Sequence, residues 1–392
     1  MKVETSWTED PKTLVQIIRN NGGEARFVGG CVRDQLLGRK ISDIDLATTL
    51  KPEETIRALK TNGLVTIPTG LKHGTLTVLI NSRPIEITTL RQDLHCDGRH
   101  ATVSFTDNWK NDAQRRDFTF NAMYMDIEGN IHDYFSGLED LRNRRLKFVG
   151  EPHQRIKEDY LRILRAFRFQ ASICETPLSE EILHACTKHR KNISSLSGER
   201  IQGEMFKLLS YTDFLSTVFT MQEAKIIDEV LSAKVSFSRL DCEKSRLIQD
   251  HIAALALLIR NTESRYNLEW LYSRWKISKK VYQAISILLE EKEMHCPKKT
   301  LAKLGNELTR KLIKILHTEN KLTSMQHNDF MSVINNSETP IFPIMGRDLI
   351  PLGYTGPEIG KKLKQLEYLW RESSCTLSKD ALLLMAIKKQ AN

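Results

Sequence analysis

The spacing of apolar residues changes character near residue 150, and no other feature of the 392-residue chain constrains its fold as much. Before that point, short apolar runs at 25–28, 44–48, 73–80 and 84–90 are separated by glycine, asparagine and proline breaks, and each predicts a strand. Between them 32–37 and 52–60 predict helices, the second started by Pro52 and ended by Asn62-Gly63. Asn81-Ser82-Arg83 predicts one hairpin turn, and Glu128-Gly129-Asn130 a second within 123–135. The polar stretch 91–100 has no periodicity and reads as a loop. After residue 150 a helical period takes over at 154–171, 179–188, 198–209 and 213–223, and the remainder reads as helices with a break at Pro297-Lys298-Lys299. The fold class is α+β: a mixed front half followed by a long all-α region.

Composition excludes several function classes. The longest apolar run, residues 252–259, has eight residues, far short of a membrane span. The first eleven residues carry three acids and match neither a secretory signal nor a transit peptide. Seven scattered cysteines fit reduced thiols and a cytoplasmic location. A formal net charge of +9 favours a polyanionic partner such as RNA.

The chemistry concentrates in three places. Gly29-Gly30 lies just upstream of Arg33, and Asp43 and Asp45 follow, two residues apart. On a strand that spacing puts both carboxylates on one face, where they repel unless a cation sits between them. The double-glycine turn lets backbone N–H groups approach a phosphate. Glu86, on a later strand, is either a third acid near the cation or an outward-facing residue. Arg115-Arg116-Asp117 offers guanidinium forks suited to phosphate oxygens. Arg162, Arg165 and Arg168 recur every third residue among Leu161, Leu164, Phe167 and Phe169. An arginine row so close to a core is costly unless anions meet it.

Taken in order, the segments GGCVRD, SDIDLAT, DGRH, QRRDFTFNAM, DYFSG, EDYLRILRAFRF and SGERI resemble those of the class II CCA-adding enzymes. These are tRNA nucleotidyltransferases of a polymerase β-like superfamily that also contains bacterial poly(A) polymerases. The likeness is dense over residues 24–206, and residues 342–360 resemble the tail of the same enzymes. It implies a nucleotidyltransferase head at 1–149, a helical neck at 150–212, a helical body at 213–295 and a tRNA-binding tail at 296–392. It implies that Gly30 and Arg33 hold the incoming triphosphate, that Asp43 and Asp45 bind two Mg²⁺ ions, and that Arg116 contacts the nucleotide. Asp159 and Arg162 would read the base, with Arg165 and Arg168 supporting it or touching the triphosphate. Asp133 and Gly137 match a hinge, and Arg91, Asp93 and Asp97-Gly98-Arg99-His100 match a flexible loop needed for adenosine addition.

The activity so implied is template-independent addition of C, C and A to tRNA from CTP and ATP, with no membrane and no stable protein partner. A poly(A) polymerase, or an enzyme adding only CC or only A, is the rival on the same scaffold. His73-Gly74-Thr75, the Gly346-Arg347-Asp348 tail and the intact 91–100 segment favour the full CCA reading.

Overall fold

The computed structural model describes residues 9–97, 100–263 and 267–387. Two compact units emerge: residues up to Glu204 together with Glu223–Val230, and Met205–Gln222 together with the chain from Leu231 onward.

The first unit is built on a seven-stranded sheet of order β3-β4-β5-β2-β1-β8-β9. Its strands are β1 (Ala25–Val28), β2 (Ile44–Thr48), β3 (Thr66–Gly70), β4 (Thr75–Ile80), β5 (Arg83–Thr89), β8 (Met123–Met125) and β9 (Ile131–Asp133). The two middle pairings differ in sense: β2 runs antiparallel to β1 and parallel to β5, with Asp45 opposite Glu86. The β4–β5 turn holds Asn81 and Ser82 at φ 50° and 64°, matching the hairpin expected there. Helices α1 (Glu9–Asn20), α2 (Gly30–Leu36), α3 (Pro52–Thr61), α4 (Trp109–Gln114) and α5 (Gly137–Arg142) complete this part. Helices α6 (Pro152–Glu158), α7 (Leu161–Ser172), α8 (Glu180–His189) and α9 (Gly198–Leu209) follow, α9 running across the boundary at residue 204.

Two sequence expectations are corrected, and one strand went unread. Residues 91–100 are not a loop: β6 (Arg91–Asp97) and β7 (His100–Phe105) form an antiparallel hairpin from Arg91↔Phe105 to Asp97↔His100. A two-stranded ladder pairs only the inner edge of each strand and does not require one apolar face, so alternation gave no signal there. Gly98 and Arg99 lie outside the described residues. The edge strand β3 went unread because Pro68 interrupts it; an edge position tolerates a residue without an N–H. The helix expected at 154–171 breaks at Asp159, which is extended at φ −156°, ψ 107°. There the Asp159 carboxylate accepts the Leu161 N–H at 3.1 Å, so the residue caps α7 instead of continuing α6.

An aromatic cluster ties α7 to the sheet end of this unit. Phe118 packs on Phe120, Phe148 and Phe169 at centroid separations of 5.8, 4.7 and 5.4 Å. Buried aromatic pairs of this kind each add roughly 0.5–1.5 kcal/mol beyond the area they bury. Gly137 sits where only glycine fits, since a Cβ there would lie 2.2 Å from the Thr119 carbonyl oxygen. The adjacent Asp133 accepts the N–H groups of Phe135, Gly137 and Leu138.

The second unit is helical, and its stretch Pro297–Thr318 is broken at Gly305, whose φ of 76° and ψ of 171° are not helical. No helix among the described residues is long and apolar enough to cross a membrane.

Candidate active site

Strand β1 ends at Val28, and Gly29 reverses the chain into α2 with φ 71°, a conformation that favours glycine. A Cβ at Gly29 would lie 3.5 Å from Arg116 Nη1, so this turn faces the Arg116 guanidinium. Cys31 on α2 contacts the Asp45 carbonyl oxygen at 3.7 Å, which places the start of β2 beside the same turn. Asp43 is exposed and accepts from Ser42 Oγ at 3.0 Å, while Asp45 is half-buried. Burial first, then the charges of Glu86 and Asp43, push the Asp45 carboxyl up to about 6 against the opposing pull of Arg116. Glu86 is exposed and is the register partner of Asp45. Among the described residues no group of three or more His, Cys, Asp or Glu is placed to hold a metal ion. Asp43 and Asp45 offer carboxylate oxygens, hard donors of the kind that suit Mg²⁺ together with phosphates and water.

Arg116 is fixed from below. Its Nε and Nη2 donate to Asp112 Oδ2 at 3.3 and 3.0 Å, and Tyr124 Oη donates to the same oxygen at 2.6 Å. Burial works against the Arg116 charge, but Tyr124 and Asp112 more than compensate and hold it protonated. Asp112, 1% exposed, is held ionised against its own burial by Arg116 and Arg115. Neither Asp112 nor Tyr124 carried a sequence signal of its own.

Arg33 leads from the turn to α7. Its Nη1 donates to Asn121 Oδ1 at 2.7 Å, and Asn121 Nδ2 donates to Asp117 Oδ1 at 3.1 Å. Asp117 Oδ2 takes Arg165 Nε at 2.6 Å and Nη2 at 2.5 Å. Burial alone would raise the Asp117 carboxyl, yet the Arg165 charge and the Asn121 hydrogen bond hold it well below the usual range. Arg165 and Arg168 also meet Glu204, at 3.4 and 2.8 Å. The anions facing the arginine row are thus partly the protein's own carboxylates, which sequence spacing did not indicate. The Phe169 ring lies beneath all three guanidiniums, 5.1 Å from Arg33, 5.5 Å from Arg165 and 4.0 Å from Arg168.

At the start of α7, Asp159 and Arg162 do not pair with each other. Asp159 Oδ2 accepts from Arg200 Nη2 at 2.7 Å. Arg162 Nη1 donates to Glu158 Oε2 and to the Arg155 carbonyl, both at 2.7 Å, and its Nη2 donates to the Arg115 carbonyl at 3.0 Å. Both side chains are therefore pre-oriented by different partners. The Arg115 carbonyl joins this end of the site to the segment carrying Arg116, whose field reaches Asp45.

Residues 25–147 match a family model described as the poly A polymerase head domain, and residues 177–233 one described as a probable RNA- and SrmB-binding site of polymerase A. The mitochondrial CCA tRNA nucleotidyltransferase 1 of Danio rerio is 34% identical over 97% of this chain and 91% of its own length. The CCA-adding enzyme of Streptococcus gordonii is 33% identical over 94% of each chain. The chain belongs to the CCA-adding tRNA nucleotidyltransferases. Its fold agrees: the crystal structure of the Bacillus stearothermophilus CCA-adding enzyme in complex with CTP superimposes with a TM-score of 0.78, at 24% identity over 96% of both chains. The Thermotoga maritima CCA-adding enzyme complexed with tRNA gives 0.66 at 20% identity, over 98% of this chain and 96% of that one. Nucleotidyltransferases of this family normally use divalent metals.

Proposed function

We propose that this enzyme adds C, C and A in turn to the 3′ end of tRNA, from CTP and ATP, using protein side chains in place of a nucleic-acid template. The observation that carries the reading is the pairing, within one unit, of an acidic strand start beside a glycine turn with a helix whose first turn presents an acid and a guanidinium held by separate partners.

In this reading Asp43 and Asp45 hold Mg²⁺, a hard cation that fits carboxylate oxygens and relieves the repulsion felt at Asp45. When bound, the metal supplies activation of the RNA 3′-hydroxyl and neutralisation of the departing pyrophosphate. The Gly29–Gly30 backbone, Arg33 and Arg116 orient the triphosphate, and Arg165 and Arg168 reinforce that positive wall. Asp159 accepts from the exocyclic amine of cytosine or adenine, and Arg162 donates to the neighbouring ring nitrogen. Uracil and guanine reverse both groups and leave them unpaired, which a polar site penalises by about 10⁴-fold. The 91–100 segment serves the switch to adenosine, and Asp133 with Gly137 the hinge. We keep the division at 149/150, 212/213 and 295/296 as part of the proposal, along with a cytoplasmic site of action, which localisation of the tagged chain to an organelle would refute.

A second reading has one observation in its favour: both matching family models are described through poly(A) polymerase. Incubating the protein with tRNA lacking its 3′ end, CTP and ATP, and sizing the product, separates the two. Three added nucleotides support the CCA reading. A long adenosine tail, or a product stopped at CC, overturns it.

A further inference from the structure

Arg155, on α6, is not among the residues assigned to nucleotide or metal, yet its contacts join separate parts of the site. Its Nη2 donates to two consecutive carbonyl oxygens, those of Arg115 at 2.5 Å and Arg116 at 2.7 Å. Its Nη1 pairs with Glu158 Oε2, the same oxygen that receives Arg162. Arg162 in turn shares the Arg115 carbonyl with Arg155. The two arginines, the Glu158 carboxylate and the 115–116 peptide therefore form one closed hydrogen-bonded loop. On one side of it stands Arg116, aimed at the glycine turn and the acidic strand; on the other stands Arg162, in the first turn of α7.

Keeping this loop is expensive. Arg155 is 8% exposed, and its buried Nε–H has no acceptor among the described residues. Burial first, and then the like charge of Arg162, bring its own proton affinity below the ordinary guanidinium value. A buried cation with an unmet donor beside a second cation is retained against its local cost, which points to a function beyond stability. The function that fits is dimensional. Discrimination by hydrogen-bond geometry requires the reading groups to be held to within about 0.5 Å of the anchored substrate. A triphosphate anchored near Arg116 and a base edge met by Arg162 are read together only if the two guanidiniums keep a fixed separation.

We propose that Arg155 is a positioning residue for base selection: it locks the peptide behind Arg116 to Glu158 and Arg162, and so sets the distance between the triphosphate anchor and the base reader. The proposal rests on the assignment of Asp159 and Arg162 as the base readers. Lysine at this position keeps the charge but has no planar fork to span two carbonyls and a carboxylate at once.

The test is the ratio of kcat/KM for CTP over UTP, measured on tRNA ending before its first C, for wild type, Arg155→Lys and Asp159→Ala. Each ratio comes from one preparation, so it is independent of the fraction of protein that folds. Arg155→Lys is expected to lower the ratio about tenfold or more. A merely structural role for Arg155 would lower both rates and the melting temperature while leaving the ratio within twofold of wild type, and that result overturns the proposal. If Asp159→Ala lowers the ratio and Arg155→Lys does not, the proposal fails alone. If neither variant lowers it, the assignment of the base readers fails as well.

Discussion

Replacing Asp117 by asparagine tests the hydrogen-bond chain that joins Arg33 to α7. In the native chain one carboxylate oxygen accepts the Phe118 N–H at 2.8 Å and the Asn121 amide at 3.1 Å, and the other accepts two N–H groups of Arg165. Asparagine has the same shape but only one acceptor oxygen. Whichever way its amide turns, an NH₂ group faces two N–H donors, and two hydrogen bonds are lost in a site 8% exposed. Charge-assisted bonds contribute about 1.5–3 kcal/mol each, and breaking a buried pair by removing one partner costs about 3–5 kcal/mol. Arg165 retains Glu204 at 3.4 Å, which favours the lower end. The expected loss is about 3 kcal/mol, or roughly 10²-fold in the opening equilibrium of this unit.

The chain folds as two units, so a single melting curve does not report this quantity. Native-state hydrogen exchange read on peptides from β1, β2 and β8 does, because those amides exchange only when the first unit opens. The pH dependence adds a second check. Asp117 is depressed in the folded state, so its contribution is complete above the unfolded value near 4 and is lost as pH falls through the folded one. The gap between wild type and Asp117→Asn should therefore be widest near neutrality and narrow progressively below pH 4. The change should also raise KM for CTP and ATP alike, since Asn121 loses the group that holds it against Arg33. An opening free energy within about 1 kcal/mol of wild type at neutral pH would show that Asp117 is no hub.

Three further outcomes follow from the same structure. Asp45→Ala should abolish nucleotide incorporation while tRNA affinity, measured by filter binding, stays within a few-fold; substantial residual turnover would remove Asp45 from the metal set. His189 hydrogen-bonds His153 Nδ1 at 3.3 Å, and burial, then the charges of His153, Lys157 and Lys188, lower its pKa against Glu151, while Tyr160 packs on its ring. The folded chain resists a proton that the unfolded chain accepts, so this contribution is complete above about pH 6.5 and is lost on acidifying below it. The fall in stability of the first unit from pH 7.5 to 5.5 should be smaller in His189→Asn than in wild type, and equal slopes would refute the assignment. In the second unit, Glu319 meets Arg260 in a two-pronged pair whose side chains are 4% and 5% exposed, and Arg260 also donates to the carbonyls of Leu288 and Glu291. Glu319→Ala leaves that cation without its counter-charge and should cost about 3–5 kcal/mol by exchange in that unit; a loss under about 1 kcal/mol would mean the pair is dispensable.

What the sequence disclosed, and what it withheld, divides along a physical line. Strands β1 and β2, the glycine turn and the arginine row were legible because each rests on local rules: side-chain period, glycine's access to positive φ, and helix rise. The hairpin at 91–105 and the break at Asp159 were not, because both depend on which hydrogen-bond partner wins rather than on apolar pattern. At the site, motif order singled out the candidate residues but not what holds them. Asp112 and Glu204 lie outside the motifs, Asn121 and Phe169 lie inside them with no role of their own, and only their distances to Arg116, Arg33, Arg165 and Arg168 give the four roles.

That division bears on how selection without a template works. The guanidiniums proposed to face substrate are already bonded to protein: Arg116 to Asp112, Arg165 to Asp117, Arg162 to Glu158. Such bonds cost affinity, since a guanidinium shared with a carboxylate attracts a phosphate or a base less strongly than a bare one. They also remove rotamer freedom that an incoming nucleotide would otherwise have to freeze, about 2 kcal/mol for each arginine side chain. A site arranged this way gives up ground-state attraction for fixed geometry. With only one or two hydrogen bonds distinguishing cytosine from uracil, fixed geometry is the quantity that determines fidelity.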